Sequence, residues 1–341
     1  MSSGAASNGG KRGARVRRLA GRLARQREYG VLALLALTIL VVSSVNRDFL
    51  RAGNIRDMLV NCAPCAIVAC GLTLVIVLGE IDISMGSLMG FLAAVVGALT
   101  SKEHGGWDVA PAVAATLLLG TAVGLLNGLL VAVGRVPSII VTLGMLTALR
   151  GVTELVMRGK WITGLPAGLR YLGTGRPLGL DVCLWAAAAV IALTAVLARD
   201  TPLGRRLYAI GSSPRAARLA GLPIRRMKVF AFALTGFLTG VATLVSAPQL
   251  DTIESGIGVG FELFVVTCVV VGGASISGGR GSIAGSILGV LLLGIVRTAL
   301  IFLRLGEMST YWERAIQGAF ILAAVLVDHL AVRGGRGKAG A

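Results

Sequence analysis

The stretch VAPAVAATLLLGTAVGLLNGLLVAVG, residues 109–134, decides the fold class of this chain. It continues for 26 residues without a single charged side chain. A helix of about 20 such residues crosses the roughly 30 Å hydrocarbon core of a bilayer and satisfies its backbone polar groups internally. The stretch therefore predicts a membrane-spanning helix.

Similar apolar stretches recur along the 341 residues, and they predict an all-α polytopic membrane protein with about ten transmembrane helices. Only 14% of the residues are charged, whereas soluble domains carry about 25%. This composition excludes a soluble enzyme, a DNA-binding domain and a secreted disulfide scaffold. The predicted spans are 30–45, 58–78, 84–101, 109–133, 137–157, 182–198, 229–247, 261–274, 282–303 and 311–330.

The formal net charge of +17 is concentrated in segments that flank the spans. Of the 33 basic residues, 19 lie in the leader 1–28, the loop 199–228 and the tail 332–341. Basic residues gather on the cytoplasmic side, where anionic lipids attract them. We therefore expect cytoplasmic termini, membrane lipids rather than nucleic acid as partners, and one transmembrane domain over 29–331.

The connections between the spans carry no recognisable catalytic module. The longest of them, 158–181, 199–228 and 248–260, are shorter than the roughly 50 residues of a small domain. No P-loop motif occurs, and all five cysteines lie inside apolar runs, where they behave as small hydrophobic residues. We expect a protein that is not an enzyme and that has neither a metal site nor a cofactor.

Polar residues next to or inside the spans are the candidates for a solute pathway, because burying them in lipid is costly. Asp82 and Ser84 interrupt two spans; they line a pathway, or Ser84 caps the helix that begins at Met85, or both. Asn127 contacts another helix or a hydroxylated solute. Arg150 and Glu154 lie four residues apart, which favours a local ion pair over solute contact.

A short helix is predicted at residues 214–221, within the basic loop. Ser213 is a candidate N-cap and Pro214 fits the first helical position, while Gly221 ends the helix. A rigid helix outside the bilayer suits docking into a groove of a soluble partner. The alternative is a helix that lies on the lipid surface.

Five blocks in order make the chain resemble the permease subunits of ribose-type sugar importers of the ATP-binding-cassette class. The resemblance covers nearly all of residues 30–330. Two departures from the family pattern are Glu80, where a glycine is common, and Phe264, where an acidic residue is frequent. The blocks are IDISMGS at 81–87, NG at 127–128 followed by GRVP at 134–137, TLGM at 142–145 leading to RG at 150–151, the loop with Ala216, Ala217 and Gly221, and GG at 272–273 through GGRGS at 278–282.

The resemblance implies a bacterial inner-membrane permease that pairs with a second permease subunit. ATP would be bound by a cytoplasmic ATPase, and an extracytoplasmic binding protein would deliver a sugar-like solute. We expect Asp251 and Glu254, in an outer loop, to receive that binding protein. The alternatives are a branched-chain amino acid permease of the same superfamily and a self-powered secondary transporter. The coupling helix to the ATPase would comprise Pro214, Arg215, Ala216, Ala217 and Gly221.

Overall fold

The computed structural model describes residues 28–102, 105–302, 312, 315–320, 322 and 326. Within these residues the regular structure is helical, and one isolated antiparallel bridge joins Ile162 to Ile253. The predicted all-α fold class is confirmed. The helices are α1 Glu28–Val45, α2 Ala52–Val77, α3 Met85–Thr100, α4 Val109–Ala132, α5 Ser138–Met157, α6 Ala167–Thr174, α7 Val182–Asp200, α8 Pro202–Ser212, α9 Pro214–Leu219, α10 Ile224–Ser246, α11 Phe261–Val271 and α12 Ile283–Phe302.

Seven of the described helices are long and apolar enough to cross a membrane. They match seven of the predicted spans, whereas most of the predicted span 311–330 lies outside the described residues. The predicted spans 84–101 and 261–274 correspond to the shorter helices α3 and α11, which have 16 and 11 residues, and the run 261–274 is already short for a span in the sequence. At 1.5 Å per residue, α11 is only about 16 Å long, which is half of the hydrocarbon core. Residues 1–27 of the predicted leader 1–28 and the predicted tail 332–341 lie outside the described residues.

Helix α2 forms the centre of the bundle. Every residue from Cys62 to Val77 is buried, and the helix packs against α10, α12 and α7. A helix that is apolar on all sides is stable only when it is surrounded by other helices or by lipid. Cys62, Cys65 and Cys70 belong to this core, and all three are free thiols.

Glycines allow α4 and α10 to pack backbone against backbone. A Cβ atom on Gly120 would lie 2.6 Å from the carbonyl oxygen of Gly236, and one on Gly128 would lie 2.8 Å from the Cα of Val229. Small residues four positions apart share one helix face and permit this approach. The antiparallel pair places the start of α10 beside the end of α4.

A non-helical segment, residues 251–260, lies along α3 and explains why α11 is short. A Cβ atom on Gly97 would meet the side chain of Ile253 at 2.6 Å, and one on Gly90 would meet the carbonyl oxygen of Ile257 at 2.6 Å. Irregular backbone at membrane depth is stable only where protein or a water-filled cavity surrounds it. Here the glycine face of α3 provides that protein surface.

The loops gather at two ends of the bundle. One end, which we call the basic face, carries the loops 78–84, 133–137 and 272–282 together with α8 and α9. There the backbone nitrogen of Gly279 donates to the carbonyl oxygen of Val77 at 2.8 Å. The opposite face carries α6 and the turn at Ala247–Gln249, which pack closely at Gly173.

Candidate substrate pathway and coupling helix

Asp82, Ser84 and Asn127 form one buried hydrogen-bonded cluster at the start of α3. The side-chain nitrogen Nδ2 of Asn127 donates to Ser84 Oγ at 3.0 Å, and Ser84 Oγ donates to Asp82 Oδ1 at 2.7 Å. The backbone nitrogen of Ser84 donates to the same carboxylate oxygen at 2.9 Å. Three predicted pathway residues, two from the loop 78–84 and one from α4, therefore meet at one point.

Ser84 is the N-cap residue of α3, which begins at Met85, but the alternative in which its side chain caps the helix is wrong. Ser84 has helical dihedral angles, φ −84° and ψ −8°, and its side chain makes no capping hydrogen bond. Its hydroxyl instead donates to Asp82, which already accepts the backbone N–H of Ser84. The side chain of Ser84 thus belongs to the buried cluster and does not cap the helix.

Two buried acceptor atoms beside α3 have no hydrogen-bond donor among the described residues. They are Oδ1 of Asn127 and Oε2 of Glu262. Glu262 lies in the first turn of α11 and faces Gly86 of α3, where any side chain would collide with its carboxylate. Glu262 was not among the predicted site residues, although a lone carboxylate at the start of the apolar run 261–274 is a visible signal in the sequence.

The predicted ion pair between Arg150 and Glu154 is wrong. Arg150 Nη1 instead donates to the carbonyl oxygen of Ile257 at 2.9 Å and to that of Ser255 at 3.4 Å. These carbonyls belong to the segment 251–260, which lacks a helical ladder to pair them. Glu154 lies on the exposed side of α5. Arg150 thus contacts the non-helical segment, whereas Glu154 is exposed.

The helix α9 forms with the predicted caps. The Ser213 hydroxyl accepts the backbone N–H of Ala216 at 3.3 Å, Pro214 is the first helical residue, and Gly221 has a φ of +70°. The helix ends at Leu219, two residues earlier than predicted. Ala217 is buried against the bundle, whereas Pro214, Arg215 and Ala216 are exposed.

The sequence analysis missed α8, which connects α9 to the membrane helices. At Gly211 this helix approaches the end of α2 so closely that a Cβ atom would collide with the carbonyl oxygen of Val77. Tyr208, also on α8, donates its hydroxyl to the carbonyl oxygen of Gly281 at 2.9 Å. These contacts connect α8, and with it α9, to the end of α2 and to the loop that precedes α12.

On the opposite face, Asp251 and Glu254 are both exposed, as a docking surface requires. Asp251 forms an ion pair with Arg170 of α6. On the same face, Arg56 of α2 donates to Asp181 through Nε at 2.6 Å and through Nη2 at 2.7 Å. These hydrogen bonds hold the pKa of Asp181 below its usual value.

The two departures from the family pattern have different surroundings. Glu80 forms an ion pair with Lys228 at the start of α10, and the pair is largely buried. This contact joins the loop 78–84, which carries Asp82, to the helix that follows α9. Phe264 is partly buried and packs against the main hydrophobic core.

Comparison with known proteins agrees with this architecture. A family model described as "branched-chain amino acid transport system / permease component" matches residues 54–325. The ribose import permease protein of Haemophilus influenzae is 36% identical over 311 residues, which cover 90% of this chain and 94% of that protein.

Two further relatives carry other names. The autoinducer 2 import system permease protein of Escherichia coli is 34% identical over 300 residues, covering 87% of this chain and 86% of that protein. The L-arabinose ABC transporter permease protein of Azospirillum brasilense is 33% identical over 299 residues, covering 88% and 86%. With several bilayer-crossing helices and this kinship over most of its length, the chain belongs to the family of inner-membrane import permeases.

Proposed function

We propose that this chain is the permease subunit of an ATP-binding-cassette importer that passes a sugar or sugar-like solute across the bacterial inner membrane. The observation that carries the proposal is kinship, at 33–36% identity over nearly the whole chain, with permeases named for ribose, autoinducer 2 and L-arabinose. Two of these names are pentoses. They favour a polyhydroxylated solute over the branched-chain amino acids of the family description.

The polar atoms beside α3 are compatible with such a solute. Oδ1 of Asn127 and Oε2 of Glu262 are buried acceptors that lack a donor, and a buried acceptor without a donor costs about 1–3 kcal/mol. Sugar hydroxyls supply donors without adding a charge. We therefore assign the pathway to the surroundings of α3, with Asp82 and Ser84 holding Asn127 in place and Arg150 holding the segment 251–260.

The energy for transport comes from a separate ATPase, since we assign neither nucleotide binding nor any catalytic role to this chain. We place the contact with the ATPase on α9, whose exposed residues Pro214, Arg215 and Ala216 face away from the bundle. The buried Ala217 anchors the helix. The cytoplasmic side is then the basic face, and both termini lie on that side.

We place a second permease subunit against α5. This helix exposes Ile140 and Leu155, which are 61% and 75% accessible, and a Cβ atom on Gly144 or Gly151 would meet no atom within 4 Å. Open glycines on a membrane helix let another helix approach closely. The extracytoplasmic binding protein docks on the opposite face at Asp251 and Glu254.

Uptake by the reconstituted system tests this function. The chain is incorporated into liposomes with its ATPase and binding protein, and ribose, arabinose and leucine are compared as labelled solutes. We expect uptake of a pentose that requires internal ATP and persists in the presence of an uncoupler. Leucine uptake under the same conditions contradicts the sugar assignment, and uptake on an ion gradient by the chain alone contradicts the importer assignment.

A matched pair of variants tests the coupling helix. Arg215→Glu reverses an exposed charge on α9, and Arg206→Glu makes the same change on the exposed side of α8. We expect R215E to weaken co-purification of the ATPase and ATP-dependent uptake, while R206E retains both. Equal effects of the two variants show that net charge alone matters, and the assignment to α9 then fails.

A further inference from the structure

A cavity of about 950 Å³ opens on the basic face, between the end of α4 and the start of α10. Its floor is apolar and includes Val131 and Ala132 of α4 together with Val136 and Ile224. Its rim is basic. The remaining lining residues are Glu80, Arg135, Pro137, Arg218, Leu222, Pro223, Arg225, Arg226 and Lys228.

The charge around this cavity is unbalanced. Five cationic side chains line it, and its single carboxylate, that of Glu80, is already engaged by Lys228. The four arginines make no ion pair or side-chain hydrogen bond with any other residue that the structure describes. Like charges that line one cavity repel one another, so the cavity favours an anionic occupant.

Two backbone features of the lining also oppose the placement of arginines here. Arg225 and Arg226 lie in the first turn of α10, which is the positive end of the helix dipole, and Pro223 provides no side-chain cap. Arg135 has a φ of +57°, a conformation that is uncommon for residues other than glycine. The fold therefore holds three guanidinium groups at one site against unfavourable electrostatics and backbone strain.

The surroundings of the cavity select a lipid over a soluble protein. The last turn of α4 and the residue that follows it expose apolar side chains next to the apolar floor: Leu129, Leu130 and Val133 are 42%, 40% and 56% accessible. These residues end a membrane-spanning helix and lie at the edge of the bilayer. Arg218 of α9 lines the cavity, whereas the exposed α9 residues that we assign to the ATPase, Pro214, Arg215 and Ala216, do not. An occupant with a phosphate group and an attached apolar chain matches both the rim and the floor.

We propose that this cavity is a binding site for the headgroup of an anionic phospholipid, with Arg135, Arg218, Arg225 and Arg226 surrounding the phosphate. Basic pockets between membrane helices on the cytoplasmic side are suited to anionic headgroups. The bound lipid neutralises the start of α10 and packs beside α9, and it thereby stabilises the region through which we expect the ATPase to act.

Intact-protein mass spectrometry in detergent tests the site with phosphatidylglycerol and phosphatidylcholine as probes. The chain should retain phosphatidylglycerol in clear preference to phosphatidylcholine. Each basic residue near an anionic lipid contributes about fivefold to affinity, so Arg225→Gln with Arg226→Gln should weaken phosphatidylglycerol binding about 30-fold. The control, Arg205→Gln with Arg206→Gln, removes the same charge from α8, outside the cavity, and should retain the preference.

A second variant guards against a folding defect. Arg135→Gly removes one cavity charge and relieves the positive φ, so it should fold as well as the wild type and still bind phosphatidylglycerol about fivefold more weakly. Equal losses in the cavity and α8 variants overturn the proposal, because binding would then follow net charge. Inorganic phosphate that displaces phosphatidylglycerol at similar concentration also overturns it. Cavity variants that no longer bind the ATPase but keep their preference for phosphatidylglycerol overturn it as well.

Discussion

The guanidinium of Arg150, on α5, donates a hydrogen bond of 2.9 Å to the carbonyl oxygen of Ile257, in the non-helical segment beside α3. The bond provides a donor for backbone that has no helical ladder at membrane depth. It also fixes the segment that leads directly into Glu262. The spacing along α5 predicts a pair between Arg150 and Glu154, but Arg150 instead supports the non-helical segment 251–260.

Removal of this guanidinium should destabilise the chain. Hydrogen bonds to charged groups contribute about 1.5–3 kcal/mol, so Arg150→Ala should lower the free energy of unfolding by about that amount. Arg150→Lys keeps the charge and one donor and should lose less. Thermal unfolding in detergent measures both variants. An R150A variant as stable as the wild type shows that the bond to Ile257 contributes little.

A methyl group at the contact between α4 and α10 should be poorly tolerated. Gly120→Ala places a Cβ atom 2.6 Å from the carbonyl oxygen of Gly236, so the helices must separate, which typically costs about 1–3 kcal/mol. The control is Gly53→Ala, where a Cβ atom meets nothing within 4 Å. We expect a lower midpoint temperature for G120A only. An equal response from G53A refutes the packing explanation.

The contact between Arg56 and Asp181 should make stability depend on pH. Because the pKa of Asp181 is depressed in the folded chain, its contribution is present above the unfolded value of about 3.9 and is lost as the pH falls through the folded pKa. Asp181→Asn should be less stable than the wild type at pH 7, and the difference should shrink below pH 4. Midpoint temperatures measured across this range provide the test. A gap that is constant with pH is contrary to this expectation.

The N-cap of α9 should matter for coupling more than for the overall fold. Ser213→Ala removes the acceptor for the backbone N–H of Ala216, and loss of such a cap costs about 0.5–2 kcal/mol. In a six-residue helix this loss should loosen α9 and lower ATP-dependent uptake. Ser213→Asn retains a capping side chain and should retain uptake. If S213A transports like the wild type, the rigidity of α9 has no role in coupling.

The positions of the spans and of α9 could be predicted because their causes are local. Uniform apolar composition over 109–134 specifies a membrane helix whatever its neighbours are. Ser213, Pro214 and Gly221 specify the ends of a short helix through their own hydrogen bonds and dihedral angles.

The failures concern partners that are distant in the chain. Arg150 bonds a residue 107 positions away, and Asp181 bonds one 125 positions away. Spacing within a single helix contains no information about either contact. The run 261–274 is visibly shorter than a standard span, but the sequence does not show that the segment before it packs on the glycine face of α3.

By itself, then, the sequence determined that this is a membrane protein and approximately which residues form its membrane-spanning helices. It also determined the position of a short capped helix in the basic loop between two of them. Hydrophobicity and capping act over a few neighbouring residues, so these properties can be read along the chain. The tertiary structure alone decided which polar groups meet: the cluster of Asp82, Ser84 and Asn127, the support of an irregular segment by Arg150, and the convergence of arginines around one cavity. These contacts depend on how helices that are distant in the chain pack together, and no local sequence pattern encodes that packing.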